Sequence, residues 1–328
     1  MASELFSRIL EAHAAIYPQV AVTPLEPSNL LSLESGCQVL LKYEHMQPTG
    51  SFKIRGATNK VRLLDEPSRR AGVLTASTGN HGCAVARAGA LAGVPVKVYV
   101  SNITVPTKIA GIRALGAEVI IVDGPPLEAE LAARRKAETD GLVYISPYND
   151  LDVIAGQGTL GVELLKQEAG LEAVFIAVGA GGLIGGVGSA IKALNPRVEV
   201  VGVWPEASQS LLRSLEVGKI IAVEEHETLS DGTAGAVEPG SATFPICQTV
   251  IDTRVLVSEA QIAAAMLRLA EMEHLMVEGA AGVALAGLVK VAQAYRGRKV
   301  AVVLCGRNIA PQAFITAIGG HVEDRRTA

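Results

Sequence analysis

Residues 47–57 read Gln47-Pro48-Thr49-Gly50-Ser51-Phe52-Lys53-Ile54-Arg55-Gly56-Ala57 and follow an apolar, strand-like run, Val39-Leu40-Leu41. A strand at about 38–43 that leads into a loop, and from there into a helix through Val61, is the building unit of an open α/β sheet. The loop carries one lysine next to an aromatic ring. Held out of water, that amine favours its neutral form and becomes a nucleophile able to form a Schiff base with a carbonyl. A single lysine is more often a surface residue of an amphipathic helix, so the remainder of the chain has to separate the two readings.

The same alternation recurs along the chain. Residues 3–16 have the pattern of an amphipathic helix with Ser3 as cap, stopped near Pro18. Strand-like runs at 72–75, 96–100, 119–122 and 142–145 are each followed by a helical pattern. The helix from 106 has Thr104 and Pro106 at its start and Gly116 past its end. In the second half a helix at 153–168 precedes a strand at 173–178, and a helix from 182 precedes a strand at 198–203. Helices at 258–273 and 279–295 precede a last strand at 299–304. The stretch 218–248 is the least regular and reads as a loop-rich connection. Regular alternation of this kind predicts open, mostly parallel sheets covered on both faces by helices.

Composition agrees. The 328 residues are 49% hydrophobic but only 4% aromatic, with 34 glycines, so the core is built from Ala, Val, Ile and Leu as in parallel α/β sheets. A net charge of -4 predicts no attraction to nucleic acid or to an anionic membrane. Cys37, Cys83, Cys247 and Cys305 show no metal-like spacing and predict neither a disulfide framework nor a zinc site. The N-terminus has no basic flank or apolar core of a signal peptide. Residues 174–191 carry no charge, yet their six glycines favour a strand, a loop and a helix start over a membrane span. A soluble, cytoplasmic protein is expected.

Two further segments carry chemistry. Val178-Gly179-Ala180-Gly181-Gly182-Leu183 stands at a strand end opening a helix, where backbone N–H groups and the helix N-terminus suit a phosphate. It is neither a Walker A loop nor a clean GxGxxG, since position 184 is Ile. Close packing alone would also explain its glycines. Glu199 lies at a distance suited to a ribose, which keeps a dinucleotide fold open. Ser77-Thr78-Gly79-Asn80-His81-Gly82 follows a strand and forms a cup of donors suited to a carboxylate, or simply a helix cap. His81 by itself reads equally as a structural residue.

In order along the chain, these segments resemble the fold-type II pyridoxal 5'-phosphate (PLP) enzymes of the threonine/serine dehydratase and serine racemase family. Glu44 to Ala57 is similar to the family's lysine motif, Ser77 to Gly82 to its substrate-carboxylate loop, and 179–183 to its phosphate loop. Val153 to Thr159, Asp231-Gly232, Glu278 with Ala281-Gly282, and Leu304 to Asn308 match further stations. The resemblance implies two open, mostly parallel twisted sheets flanked by helices, with the cofactor between two domains. Residues 1–65 and 150–328 would form the large PLP-binding domain, and 66–149 the small domain with the carboxylate loop. Lys53 would hold PLP and act as the base at Cα, and Phe52 would pack near the ring. Asn80 would bond the 3-hydroxyl, and the backbone of Gly179, Ala180, Gly181, Gly182 and Leu183 would hold the phosphate. Glu278 would lie beside the ring and Cys305 would face its nitrogen. Ser77, Thr78, Gly79 and His81 would surround the substrate carboxylate.

The chain departs from the family at several of these stations. Cys305 stands where serine or threonine is usual; a thiol does not protonate the ring nitrogen as a carboxylate would, which points to elimination. Thr78 replaces the serine of racemases and makes racemisation the lesser expectation. At a divalent-metal station of some relatives stand Trp204, Ser208 and Ser210, so no metal is expected there. Ala180 interrupts the glycine loop and is tolerable if its φ is negative. Arg307 either reaches a substrate carboxylate or points outward. The expectation is a lyase releasing ammonia and a 2-oxo acid from a small-molecule β-hydroxy-α-amino acid such as threonine or serine. An amino-acid racemase is the alternative. A homodimer is expected, and no C-terminal regulatory domain, since 20 residues follow Asn308.

Overall fold

The computed structural model describes residues 2–326. Its ten strands, numbered along the chain, are β1 (Leu25–Pro27), β2 (Gln38–Lys42), β3 (Val73–Ala76), β4 (Val96–Ser101), β5 (Glu118–Val122), β6 (Val143–Tyr144), β7 (Ala173–Ala177), β8 (Glu199–Pro205), β9 (Thr253–Val257) and β10 (Lys299–Val303). They form a six-stranded sheet in the order β1-β2-β10-β7-β8-β9 and a four-stranded sheet in the order β5-β4-β3-β6. All pairings are parallel except β1 with β2. The predicted α/β class, with two mostly parallel sheets flanked by helices, is the observed one.

The central strands are buried on both faces, which is why they read as unbroken apolar runs rather than as alternating ones. Every residue of β7 is buried, and in β10 only Lys299 is not. A fully buried Val, Ile or Phe of such strands contributes about 1.5–3 kcal/mol by leaving water. Because β2, β7 and β10 run parallel, their C-terminal ends share one edge of the sheet. The loops that leave that edge carry Lys53, the 178–181 turn and Cys305. Ligands of open α/β sheets bind in this crevice.

Three helices fix the spacing inside the crevice. The Lys53 helix (Lys53–Arg62) packs its apolar face, Ile54, Ala57 and Val61, into the core of the four-stranded lobe with Val85, Ala88 and Ile112. Its other side meets the Leu151 helix (Leu151–Gln167), which in turn lies on the Gly182 helix (Gly182–Leu194). Glycines make both contacts. A β-carbon on Gly56 would stand 2.7 Å from the carbonyl oxygen of Val153, and one on Gly161 would stand 2.6 Å from that of Val187. The motif at 153–159, whose Gly156 meets Gly56 and whose Gly158 meets the Gly186 carbonyl, thus serves helix packing between the lysine and the glycine loop.

Several elements differ from the sequence expectation. The stretch 218–248 is irregular only to Ala242; Thr243–Val250 is a helix that accommodates Pro245 in its first turn. The helix expected to 295 is α-helical to Val291 and continues as a 3-10 turn, Ala292–Tyr295. Strands β1 and β9 were not anticipated: β1 has three residues and includes Pro27, and β9 opens with the polar Thr253 and the exposed Arg254 rather than with an apolar run. Helix Pro311–Arg326 was likewise missed. Residues 174–191 form β7, a turn and the start of the Gly182 helix. Among the described residues no helix is long and apolar enough to cross a membrane.

Candidate active site

The loop before Lys53 is stitched to the loop after β10. Gly50 has φ +76°, a left-handed conformation, and a β-carbon there would stand 2.5 Å from Asn308 Oδ1, so the turn requires glycine. The Phe52 N–H donates to the Cys305 carbonyl at 3.0 Å, Ser51 bridges Gly306, and the Arg307 N–H donates to Gly50 at 2.9 Å. This pairing brings the Lys53 amine and the Cys305 thiol near one another. The Lys53 amine donates to the Pro147 carbonyl at 2.9 Å and lies 5.2 Å from the centre of the Phe52 ring. Burial pushes its pKa down to about 8, although Cys305 and Glu278 pull the other way.

The glycine loop lies across residues 147–148 from the lysine. A β-carbon on Gly182 would stand 3.1 Å from Tyr148 Cα, while the neighbouring Pro147 carbonyl holds Lys53. Gly181 adopts φ +90°, and a β-carbon on it would stand 2.7 Å from Cys247 Sγ. Ala180 does not have positive φ, which is why alanine fits there. No described residue accepts a hydrogen bond from the N–H groups of Ala180, Gly181, Gly182 or Leu183. Four unpaired donors at the start of a 13-residue helix are suited to a phosphate.

Glu278 and Asn80 join the two lobes on the far side of Lys53. The Asn80 side-chain amide donates to both Glu278 carboxylate oxygens, at 2.9 and 3.0 Å, and its Oδ1 accepts from Asn308 Nδ2 at 2.5 Å. The Asn308 N–H donates to Glu278 at 3.2 Å. Burial pushes the Glu278 carboxyl up to about 7 despite these donors. Gly306 leaves room for the carboxylate, which any β-carbon there would strike. Cys305 is 3% exposed, and burial holds its thiol protonated, well above the ordinary range.

Ser77, Thr78 and Gly79 are half-buried and precede helix Asn80–Ala92. Ser77 Oγ accepts from the Gly79 N–H at 3.2 Å, and the space beside Gly79 is open. The His81 ring is turned away from this loop. Its Nε2 lies 3.0 Å from the Ile145 carbonyl and must be the donor. Burial, with a smaller effect of Lys53, pushes its pKa down to about 3. The ring is therefore neutral, and what His81 offers an anion is its backbone N–H.

The remaining sequence candidates fall as follows. Glu199 starts β8, at the end of the sheet opposite the glycine loop, and there accepts from Thr253, Tyr295 and Arg298. That position corrects the dinucleotide reading, because a ribose-binding carboxylate belongs at the strand's other end. Trp204 is a core residue, and Ser208 Oγ and the Ser210 N–H both donate to Glu225. Arg307 is exposed. Sequence reading passed over Pro147 and Tyr148, and gave Asn308 a place in a matched station but no role. Their contributions run through a carbonyl, a backbone trace and a short polar side chain, none of which has a sequence signature.

A family model described as pyridoxal-phosphate dependent enzyme matches residues 16–306. The chain is 42% identical over 301 residues to an L-threonine ammonia-lyase of Thermotoga maritima, covering 92% of this chain and 75% of that protein. Among solved structures, the processed form of threonine deaminase isoform 2 from Solanum lycopersicum superimposes with TM-score 0.93 at 34% identity, over 97% of this chain and 94% of its own. Maize serine racemase superimposes with TM-score 0.89 at 30% identity, over 98% of each chain.

Proposed function

The chain belongs to the family of pyridoxal-phosphate-dependent enzymes, and from that premise we propose that it is an ammonia-lyase that removes the β-hydroxyl of a threonine- or serine-like amino acid. The products are a 2-oxo acid and ammonia. The observation that carries this reading is the Lys53 amine, desolvated between Phe52 and Pro147 and facing a helix start with unpaired N–H donors. Those residues suit the cofactor: an amine for its aldehyde, donors for its phosphate, and a buried thiol for its ring nitrogen. Bound there, pyridoxal phosphate supplies the electron sink that acidifies the amino acid's Cα–H.

Lys53 is the base in this reading. A pKa lowered to about 8 from 10.5 gives it roughly three hundredfold more neutral amine at pH 7 than an ordinary lysine. Gly179, Ala180, Gly181, Gly182 and Leu183 hold the phosphate through backbone N–H groups, and Phe52, Asn80 and Glu278 bound the ring. Ser77, Thr78, Gly79 and the His81 N–H bind the substrate carboxylate at the helix N-terminus. Cys305 keeps its proton and leaves the ring nitrogen uncharged, which favours departure of a β-substituent as the Cα proton is taken. In this reading residues 66–149 form the lobe that brings the carboxylate loop and residues 1–65 and 150–328 the lobe that holds the cofactor, with the Lys53 helix at the seam, since Ile54, Ala57 and Val61 pack on the four-stranded side. A cytoplasmic homodimer in amino-acid catabolism fits this assignment.

The test is ammonia and 2-oxo acid release from both stereoisomers of a panel of β-hydroxy amino acids. L-threonine or L-serine is expected to be turned over, and no release from any member would refute the lyase. A racemase is the second reading, favoured by the likeness to maize serine racemase and by the Thr78 hydroxyl. Chiral analysis of recovered substrate separates the two.

A further inference from the structure

Behind the Lys53 helix lies a cluster of four charged side chains that takes no part in the crevice. Lys42, Glu44 and Arg55 are 0% exposed and Glu163 is 3% exposed. Arg55 is two residues beyond Lys53, hence about 200° round the helix and on its opposite side. Its Nε and Nη2 grip the two Glu44 oxygens at 2.7 Å each; Nη2 also reaches Glu163 at 2.9 Å, and Nη1 reaches Thr159 at 3.1 Å. Glu163 accepts from Lys42 at 2.5 Å, from the Thr23 N–H at 3.0 Å and from Tyr17 at 2.6 Å. Two positive and two negative groups balance.

Buried pairs of this kind are close to break-even for stability when compared with apolar residues of similar size. What they provide is direction, because a bidentate fork accepts only one approach. The groups come from the end of β2, the turn after it, the Lys53 helix and the Leu151 helix. These are the elements that set where Lys53 stands relative to the Gly182 helix.

We infer that Lys42, Glu44, Arg55 and Glu163 are positioning residues for Lys53, a four-charge clamp that fixes the rotation and depth of its helix and delivers its amine, out of water, to the crevice. The inference rests on the reading of Lys53 as the reactive amine, but its primary test needs no turnover. In the full-length chain freed of cofactor, the rate of Lys53 acylation is followed against pH by peptide mass spectrometry. The wild-type midpoint is expected near 8. Glu163→Gln, which leaves the clamp one charge short, raises it by about one unit towards the ordinary lysine value. Thr159→Val keeps all four charges and removes one acceptor of Arg55; it folds more readily and raises the midpoint by a smaller step. Leu269→Ala, a core truncation elsewhere, lowers Tm without moving the midpoint. In the loaded enzyme, Glu163→Gln lowers kcat roughly ten- to a hundredfold with KM nearly unchanged. Midpoints that stay at the wild-type value in both clamp variants, with Tm lost as in Leu269→Ala, would overturn the inference and leave the cluster a structural one. A chain with no lyase activity but a shifted midpoint would instead refute the functional reading alone.

Discussion

Gly56 and Gly156 touch backbone to backbone where the Lys53 helix crosses the Leu151 helix. A β-carbon on Gly156 would stand 2.6 Å from Gly56 Cα and 2.6 Å from the Arg55 carbonyl oxygen. Neither neighbour is a flexible side chain, so Gly156→Ala has to push the helices apart. Overpacking of this kind costs about 1–3 kcal/mol and lowers Tm by several degrees. It also moves Lys53 relative to the glycine loop, so kcat falls more than KM rises. Calorimetry with steady-state kinetics checks this, and wild-type values of both would show that the crossing does not set the spacing.

Lys53→Ala removes the amine that donates to the Pro147 carbonyl and lies over the Phe52 ring. The variant folds with a wild-type circular dichroism spectrum and loses at least about 10³ in rate. Borohydride treatment of the cofactor-loaded wild type adds the cofactor's mass to the peptide carrying Lys53. The same treatment of the variant adds nothing.

The glycine loop separates two kinds of substitution. Ala180→Gly changes cofactor affinity by no more than a few-fold, because the backbone supplies the donors and alanine's φ is already ordinary. Gly181→Ala places a β-carbon on a φ of +90° and against Cys247 and Leu211. It weakens cofactor binding by tenfold or more, on the order of 1–3 kcal/mol of strain. Fluorescence titration with pyridoxal phosphate measures both.

Acid weakens the fold through histidines whose pKa burial lowers, chiefly His81 and His45, with His13 lowered in the same direction. Burial pushes His81 down to about 3 and His45 to about 4, from 6.5 when unfolded. Between about pH 6.5 and 4 the unfolded chain binds two protons that the folded chain refuses, so stability falls as pH falls. Glu278 opposes this. Raised to about 7 from 4.5, it holds a proton in the folded state and costs stability as pH rises through that window. Two groups against one leave a net loss on acidification, of several kcal/mol in order of magnitude. Tm of the cofactor-free chain falls from pH 6.5 to 4.5, and falls less steeply in His45→Gln. A flat profile would contradict the assignment.

Most of the fold was legible because parallel strands buried on both faces have little freedom in composition. Runs such as 173–177 and 299–303 are apolar throughout, and glycines or caps mark where they stop. Strands β1 and β9 were not legible, since β1 is three residues long with a proline and β9 begins with Thr253 and the exposed Arg254, so neither shows an unbroken apolar run. Lys53 and the 179–183 loop were ambiguous one by one and stood out only through their order along the chain with the other stations of the resemblance.

The sequence by itself placed on loops at strand ends the groups that meet at the crevice: the Lys53 amine, the glycine-rich turn at 179–183, the small polar residues 77–80 and the Cys305 thiol. It determined the sheet class too, through periodicity. Only the tertiary structure decided how those groups are poised. It turned the His81 ring to Ile145, set Glu199 at the wrong end of its strand for a ribose, and gathered Lys42, Glu44, Arg55 and Glu163 behind the reactive lysine. Periodicity reports local geometry, whereas a pKa or an ion pair depends on what residues a hundred positions away leave next to a charge.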